Sequence, residues 1–184
     1  MFRKTISMLT CLAALAITGM LSADDVKIKA ITLDVPKSWE QQPASNRLRL
    51  AEFKIKPAEG ETDAEIVVYS FGGGGGGVAA NISRWVKQFE AEGREVSVTE
   101  GKSKAGEYVL VDVSGTYNKP IGPPIRQQTE KTPNSRILAA IINVGEEGNY
   151  FLKLTGGKKT IETEVESFRK SFGADKSSEK PFEQ

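Results

Sequence analysis

Histidine is absent from this 184-residue chain, and cysteine occurs once, at Cys11. Without an imidazole the chain cannot form a Ser-His-Asp triad, and it lacks the side chain that most often acts as general base. A single thiol allows no internal disulfide, and the usual zinc sites of histidine and cysteine are excluded. We therefore expect no metal and no cofactor, and the composition singles out no catalytic residue.

The first 23 residues have the three parts of a secretory signal peptide. Arg3 and Lys4 precede a mostly apolar stretch over 6–21, and small residues follow at 22–23. Cleavage after Ala23 would remove Cys11 with the leader. We therefore expect an exported protein of the periplasm or cell envelope, without a lipid anchor, whose mature chain begins at or near Asp24.

The mature chain would have the length of one ordinary domain and almost no net charge. It would contain 161 residues, with 23 basic against 24 acidic side chains. This balance gives no reason to expect nucleic acid or an anionic membrane as partner. No apolar run after the leader reaches the roughly 20 residues of a transmembrane helix, so we expect no membrane insertion. We predict a single domain over 24–173 and a disordered tail over 174–184.

Two kinds of apolar pattern predict strands. Segments that alternate as half-buried strands do, or that look extended, are 26–30, 31–39, 51–56, 96–98, 109–113 and 150–154. Segments 66–71 and 136–144 are apolar on both faces, which is typical of strands in the middle of a sheet. The last four strands are joined by turns or an irregular loop rather than by helices, and this predicts a largely antiparallel sheet.

Two further segments have apolar residues at the helical spacing i, i+4, i+7, i+11. These residues are Val78, Ile82, Trp85 and Phe89 in the first segment, and Ile161, Val165, Phe168 and Phe172 in the second. They predict helices over about 78–92 and 158–171, each followed closely by a glycine. The fold class is therefore α+β, with two long helices packed on an antiparallel sheet.

Six consecutive glycines, 72–77, join a predicted strand to the first helix. Gly72, Gly74 and Gly77 satisfy the G-x-G-x-x-G pattern of dinucleotide sites, but any six glycines do so. The hairpin that follows also differs from the parallel unit that such a site requires. We interpret the run as a flexible connector. Alternatively, its backbone N–H groups at a helix start bind an anion or a partner's carboxylate.

A second irregular segment, 118–135, contains four prolines and one glycine, which predicts a long loop that is functional or mobile. If both loops lie at one end of the sheet, donor groups surround a patch suited to an acidic or carbonyl-bearing partner. The candidate partner-binding residues are Gly72, Gly74, Gly77, Asn81, Arg84, Tyr117, Arg126 and Arg136. The alternative is that both loops are mobile spacers on opposite rims.

Several motifs resemble those of the PsbP/Mog1-like fold, over about 26–173. They are Pro36-x-x-Trp39, the strand at 51–56, the hairpin 96–113, and Tyr150…Leu154-Thr155-Gly156 before the last helix. The resemblance implies an α/β/α sandwich around an antiparallel sheet. It also implies an accessory, binding or assembly role without shared catalytic residues.

A further resemblance is to a family of small exported bacterial proteins of uncharacterised function. It rests on the Phe71–Gly77 run, Asn81…Arg84-Trp85…Gln88-Phe89, Gly115-Thr116-Tyr117, and Arg136-x-Leu138-Ala139-Ala140-Ile141. This resemblance implies no substrate. Gly156-Gly157 stands where such proteins often have Gly-Pro.

The sequence thus predicts an exported, non-enzymatic binding or accessory module. Its partner would be an unknown protein or a small anionic ligand, and its oligomeric state is left open. The alternative is a carboxylate-dependent hydrolase of envelope sugars or peptides, for which the 24 acidic residues leave room. A cleft with two carboxylates roughly 5–9.5 Å apart would favour that alternative.

Overall fold

A computed structural model describes residues 23–72, 75–122 and 124–183. Its strands are β1 (Ala23–Ile28), β2 (Ile31–Pro36), β3 (Trp39–Gln42), β4 (Arg49–Ile55), β5 (Ala64–Ser70), β6 (Glu95–Ser103), β7 (Glu107–Pro120), β8 (Thr129–Asn143), β9 (Asn149–Gly157) and β10 (Ala174–Pro181). The α-helices are α1 (Val78–Val86) and α2 (Lys158–Ser171), with short 3-10 helices at Pro124–Arg126 and Gly145–Glu147.

Eight of these strands form one antiparallel sheet in the order β10-β6-β7-β8-β9-β5-β4-β3, and β1 and β2 form a separate hairpin. The strands predicted at 66–71 and 136–144 are β5 and β8, and both lie inside the sheet with a partner on either side. The α+β class with an antiparallel sheet is confirmed. This arrangement follows because each consecutive pair of strands from β6 to β9 is joined without a crossover helix.

The sheet has two unlike faces. On one face, α2 and the β1–β2 hairpin cover a core that includes Trp39, Tyr150 and Phe168. On the other face, α1 lies over β7, β8 and β9 and buries Ile82 and Trp85 against them. The helices therefore lie on opposite sides of the sheet, as in an α/β/α sandwich.

Helix α2 has the bounds that its apolar spacing predicts. Its N-cap residue, Gly157, provides no side-chain cap, and Glu61 from the β4–β5 connection takes that role. The Glu61 carboxylate accepts hydrogen bonds from the backbone N–H groups of Lys159 (2.9 Å) and Thr160 (2.6 Å), and from the Thr160 hydroxyl. A Cβ at Gly157 would lie 2.5 Å from the Glu61 carboxyl carbon, so glycine is needed for this approach.

Helix α1 is shorter than predicted, and the expected extension to residue 92 is wrong. The helix ends at Val86, and the following residues pair with β7 instead. The backbone N–H of Glu90 donates to Thr116, and that of Asn118 donates to Gln88. Phe89 still points into the core, 5.2 Å from the Tyr117 ring. The apolar spacing of Phe89 is therefore compatible with both structures, and backbone pairing decides between them.

The prediction of a long loop over 118–135 is also wrong, because most of this segment extends the β7–β8 hairpin. The ladder continues from the Tyr117–Thr132 pair to the Pro120–Thr129 pair, and only residues 121–128 connect the strands. Two prolines lie where no ladder N–H is required: Pro120 ends β7, and Pro133 lies at a register shift beside Asn134. Prolines at strand ends and bulges do not break a hairpin.

The tail predicted to be disordered contains β10, so that prediction is wrong for Ala174–Pro181. This strand pairs with β6 at the edge of the sheet. Arg169 of α2 binds Glu179 with two hydrogen bonds (2.7 and 3.1 Å), and the Tyr108 hydroxyl donates to the same carboxylate (2.7 Å). These contacts hold a polar strand that has little apolar pattern of its own.

The predicted leader lies outside the described residues except for Ala23, which opens β1. Cleavage before Asp24 would remove one of the six residue pairs between β1 and β2. No helix in the described ranges is long and apolar enough to cross a membrane.

Candidate binding groove on the α1 face

The two irregular segments leave the sheet at opposite ends. The glycine run begins two residues after Ser70, which pairs with Tyr150 at the end where β8 turns into β9. The connection 121–128 lies beyond the opposite end, where the Ser135–Gly157 pair precedes α2. Helix α1 nevertheless links the two regions. It starts after the glycine run, and the segment behind it pairs with β7 at Tyr117.

Asn81 organises the start of α1. Its side chain is buried, and Nδ2 donates to the carbonyl oxygens of Gly75 (2.9 Å), Gly76 (3.3 Å) and Gly77 (3.0 Å). Its Oδ1 accepts a hydrogen bond from Nη2 of Arg84. Gly75 has φ = 88°, and a Cβ there would lie 2.9 Å from the Phe71 ring. The Asn81 amide therefore holds residues 75–77 of the glycine run in place and orients Arg84.

A cavity of about 520 Å³ opens beside this helix start, on the α1 face. One side is aromatic and is formed by Tyr69, Phe71, Trp85 and Phe151. Phe71 is 42% exposed and lies 5.8 Å from Phe151, ring centre to ring centre. The other side is polar and contains Arg84, Gln88 and Lys153. A cavity of this size and composition is in the range of small-molecule sites.

Lys153 lies on β9 and points to the same face as Phe151. It is half-buried, its Nζ donates to Oε1 of Gln88 (2.9 Å), and it lies 5.7 Å from the centre of the Tyr117 ring. Burial lowers the pKa of Lys153 to about 8, with Glu65 opposing this shift and Arg84 reinforcing it. Within the described ranges, no carboxylate lies within 4.0 Å of Lys153 or Arg84.

A second cavity of about 400 Å³ lies on the same face, next to Tyr117. It contains the carboxylates of Glu52 and Glu65, which both contact Nη1 of Arg49 (2.9 and 3.3 Å). Burial alone would raise the pKa of Glu52, but hydrogen bonds from Ser45 and the charge of Arg49 outweigh it and lower that pKa. A general acid in a glycosidase needs a raised pKa, so Glu52 is unsuited to that role.

The structure brings together several of the residues predicted for partner binding. Asn81 and Arg84 line the aromatic cavity, and Gly77 is the residue from which α1 starts. Tyr117 lies between the two cavities, beneath Lys153. Whether these residues bind a partner stays a prediction.

The other predicted residues lie elsewhere. Gly72 is exposed after Phe71, and Gly74 lies outside the described residues. Arg126 is in the 3-10 helix at the far tip of the β7–β8 hairpin. Arg136 faces the α2 side and forms two hydrogen bonds with Asp112 (2.8 and 2.6 Å). The two loops lie at opposite ends of the sheet, so the condition for a single patch around both is not met, and neither Arg126 nor Arg136 lies at the groove.

Sequence reasoning missed Lys153, although a signal was present. Residues 150–154 read Tyr-Phe-Leu-Lys-Leu, so a lysine interrupts a strand that is otherwise apolar on both faces. A charged residue at such a position is uncommon unless it is paired or has a function. In the parts of the chain that the structure describes, no group of three or more acidic, histidine or cysteine side chains could hold a metal ion. The absence of a cofactor stays an expectation.

No family model and no curated protein matches this chain. Among solved structures, it is similar to the solution structure of cyanobacterial PsbP (CyanoP) from Synechocystis sp. PCC 6803. The match covers 95% of this chain and 99% of that chain, with a TM-score of 0.48 and 11% identity. The likeness concerns the fold alone. Nothing about the groove follows from it.

Proposed function

We propose that this protein is an exported, non-enzymatic binding or accessory module that holds a protein or a small anionic ligand in the groove on the α1 face. One observation carries the proposal. Lys153 and Arg84 face an open cavity, and no carboxylate among the described residues lies within ion-pair distance of either. Lys153 is half-buried, whereas Arg84 is exposed. A cation partly removed from water is costly unless an anion compensates it, and a bound partner would supply that anion to Lys153.

The support around the groove favours binding. Its floor is formed by β5 and β9, which lie inside the sheet. The helix beside it is held at its start by Asn81 and beyond its end by the Phe89–Tyr117 bridge. Side chains on such rigid elements keep their positions when a ligand arrives, which lowers the entropic cost of binding.

Photo-crosslinking in the native envelope tests the site. A crosslinking residue at Phe71, in the groove, is compared with one at Lys170, on the exposed side of α2. We expect an adduct from Phe71 only, lost in Lys153→Glu and kept in Lys37→Glu, which makes the same charge change at an exposed turn. Equal adducts from both positions, or an adduct that survives Lys153→Glu, would show that the groove is not the binding site.

Export has a separate test. The intact mass of protein isolated from the native envelope should correspond to a chain that begins at or near Asp24 and carries no lipid. A retained leader, or an acyl group on Cys11, contradicts the proposal.

A further inference from the structure

The donors that face the groove are arranged for a single small anion. The Lys153 ammonium has three N–H donors, and Gln88 accepts one of them. The guanidinium of Arg84 has five donors, and Asn81 accepts from one nitrogen, Nη2. The remaining donors of both cations suit the two oxygens of a carboxylate.

The charges around this point disfavour other ligand types. The positive charges of Arg84 and Arg49 act to lower the pKa of Lys153, and the negative charge of Glu65 acts to raise it. Glu65, whose charge opposes the other two, is already bound to Arg49 (3.3 Å). Lys153 and Arg84 would repel a cationic ligand, and a neutral ligand that displaced water would leave the half-buried Lys153 uncompensated.

The opposite side of the cavity is apolar and partly exposed. Phe71 stacks on Tyr69 with ring centres 6.0 Å apart, and Trp85 meets Phe151 edge to face at 6.5 Å. The exposed Phe71 ring, beside other aromatic rings, is apolar surface whose contact with water is unfavourable, so burying it under a ligand is favourable. A ligand that fills this cavity therefore needs an apolar portion next to its anionic group.

We infer that the groove binds an organic carboxylate carried on an apolar or aromatic body, with the carboxylate between Lys153 and Arg84 and the body against Phe71 and Trp85. The inference rests on the proposed function and specifies its ligand class. The carboxylate replaces water around two cations that the protein leaves without an anion. The apolar body covers Phe71, the most exposed of the aromatic side chains that line the cavity.

The probes that test this class are phenylacetate, its neutral counterpart phenylacetamide, acetate, and inorganic phosphate. The readout is the nitrogen-15-edited NMR spectrum of the mature protein, in which each tryptophan gives one indole signal. Trp85 lines the groove, whereas Trp39 lies on the opposite face, where its Nε1 donates to Glu164 (2.9 Å). We expect phenylacetate to shift the Trp85 signal and to leave the Trp39 signal in place.

The affinity series separates the two parts of the site. Phenylacetate should bind at least about tenfold more tightly than phenylacetamide, which lacks the charge, and than acetate, which lacks the body. Lys153→Met should lower the affinity for phenylacetate at least about tenfold, and Lys37→Met should leave this affinity unchanged. A well-dispersed spectrum of Lys153→Met shows that the variant is folded, and Lys153→Arg, which keeps the charge, should retain binding.

Raising the pH provides a readout that a purely structural lysine would not give. The groups facing Lys153 are Glu65 and Tyr69 on β5, Arg49 and Glu52 on β4, Arg84 on α1, and Tyr117 on β7. Burial raises the pKa of Tyr117 to about 12 and also raises that of Tyr69. Between about pH 6.5 and 9.5, Lys153 is therefore the group in this set that loses its charge. The affinity of wild type for phenylacetate should fall as pH rises over this range, and the affinity of Lys153→Arg should not.

Three results overturn the inference. They are equal binding of phenylacetate and phenylacetamide, tighter binding of phosphate than of phenylacetate, and a Trp85 shift that Lys153→Met leaves unchanged. If the Phe71 crosslink still forms in the envelope while phenylacetate fails to shift Trp85, the site is right and the ligand class is wrong. If both fail, the proposed function is wrong as well.

Discussion

The two faces of the sheet differ in how completely they are covered. Among the described residues, the core on the α2 side contains 22 buried hydrophobic residues and the core on the α1 side contains 11. Helix α2 has 14 residues and the β1–β2 hairpin lies beside it, whereas α1 has nine residues. The difference separates two tasks: the α2 face supplies most of the buried area that stabilises the fold, and the α1 face leaves aromatic and charged side chains open to a partner.

The largest effect on stability is expected from the α2 face. Phe168→Ala removes a fully buried ring that packs 5.6 Å from Phe172, so it should lower the free energy of unfolding by about 3–5 kcal/mol. Phe71→Ala on the α1 face, where the ring is 42% exposed, should cost less than about 1 kcal/mol. Chemical denaturation measures both. Equal losses would contradict the division of tasks between the faces.

The next effect concerns the strand that the sequence patterns did not predict. Glu179→Gln removes the charge that binds Arg169 and Tyr108, and it should cost about 1–3 kcal/mol because those partners are partly buried. The matched control is Glu166→Gln, which breaks an exposed pair with Lys176 between the same two elements and should cost about 0–1 kcal/mol. Hydrogen exchange should show faster exchange across Ala174–Pro181 in the first variant only. If the two variants behave alike, Glu179 does not hold β10.

A smaller effect is expected at the start of α2. Glu61→Gln weakens the cap on the N–H groups of Lys159 and Thr160 and should cost about 0.5–2 kcal/mol. Burial opposes ionisation of Glu61, but its hydrogen bonds with Thr160 and Lys159 outweigh burial and lower its pKa. The cap therefore stabilises the fold above the pKa that Glu61 has in the unfolded chain, and this contribution is lost as pH falls through the lower, folded pKa.

Denaturation at neutral and acidic pH tests this sign. Wild type should lose more stability on acidification than Glu61→Gln, and the two proteins should converge below the folded pKa. Glu59→Gln, in the same connection, is the control and should follow wild type. A constant gap between wild type and Glu61→Gln at every pH would mean that Glu61 acts by packing and not by its charge.

The elements that could be predicted are those whose local apolar pattern alone determines whether the segment is a helix or a strand. Helix α2 places Ile161 and Phe168 on one face over 14 residues, and β8 is apolar on both faces. The errors arise where distant contacts decide. The hydroxyl that helps to hold β10 lies 71 residues from Glu179. Pairing with Thr116 and Asn118 ends α1 early, and no local pattern records it.

The candidate site shows the same division. Asn81 and Arg84 were predicted as donor groups close to the glycine run, and the structure places both at the groove. Lys153 lies on β9 and Phe71 directly follows β5, and only the register between these two strands brings both side chains beside α1. Arg136 looked available in sequence, but Asp112 on the neighbouring strand binds it. Pairing across strands is therefore what the sequence alone did not reveal.

The smallest effect on stability concerns the residue on which the groove depends most. Lys153 is half-buried without a carboxylate within ion-pair distance among the described residues, so replacing it by an apolar side chain of similar length should stabilise the fold. We expect Lys153→Met to raise the free energy of unfolding by about 1 kcal/mol at neutral pH, while it weakens phenylacetate binding at least about tenfold. Such an exchange of stability for function is common at binding sites.

The pH dependence of this gain gives the decisive measurement. Because burial lowers the pKa of Lys153 to about 8, the unfolded chain binds more protons than the folded chain between about pH 8 and the ordinary lysine pKa near 10.4. Wild-type stability should therefore rise with pH across this window relative to Lys153→Met, and the advantage of the variant should shrink by about pH 9.5. Lys37→Met, at an exposed turn, should show no such convergence. If Lys153→Met is less stable than wild type both at neutral pH and at about pH 9.5, Lys153 stabilises the fold through Gln88 and Tyr117. The proposal that its charge is there to bind a ligand would then be wrong.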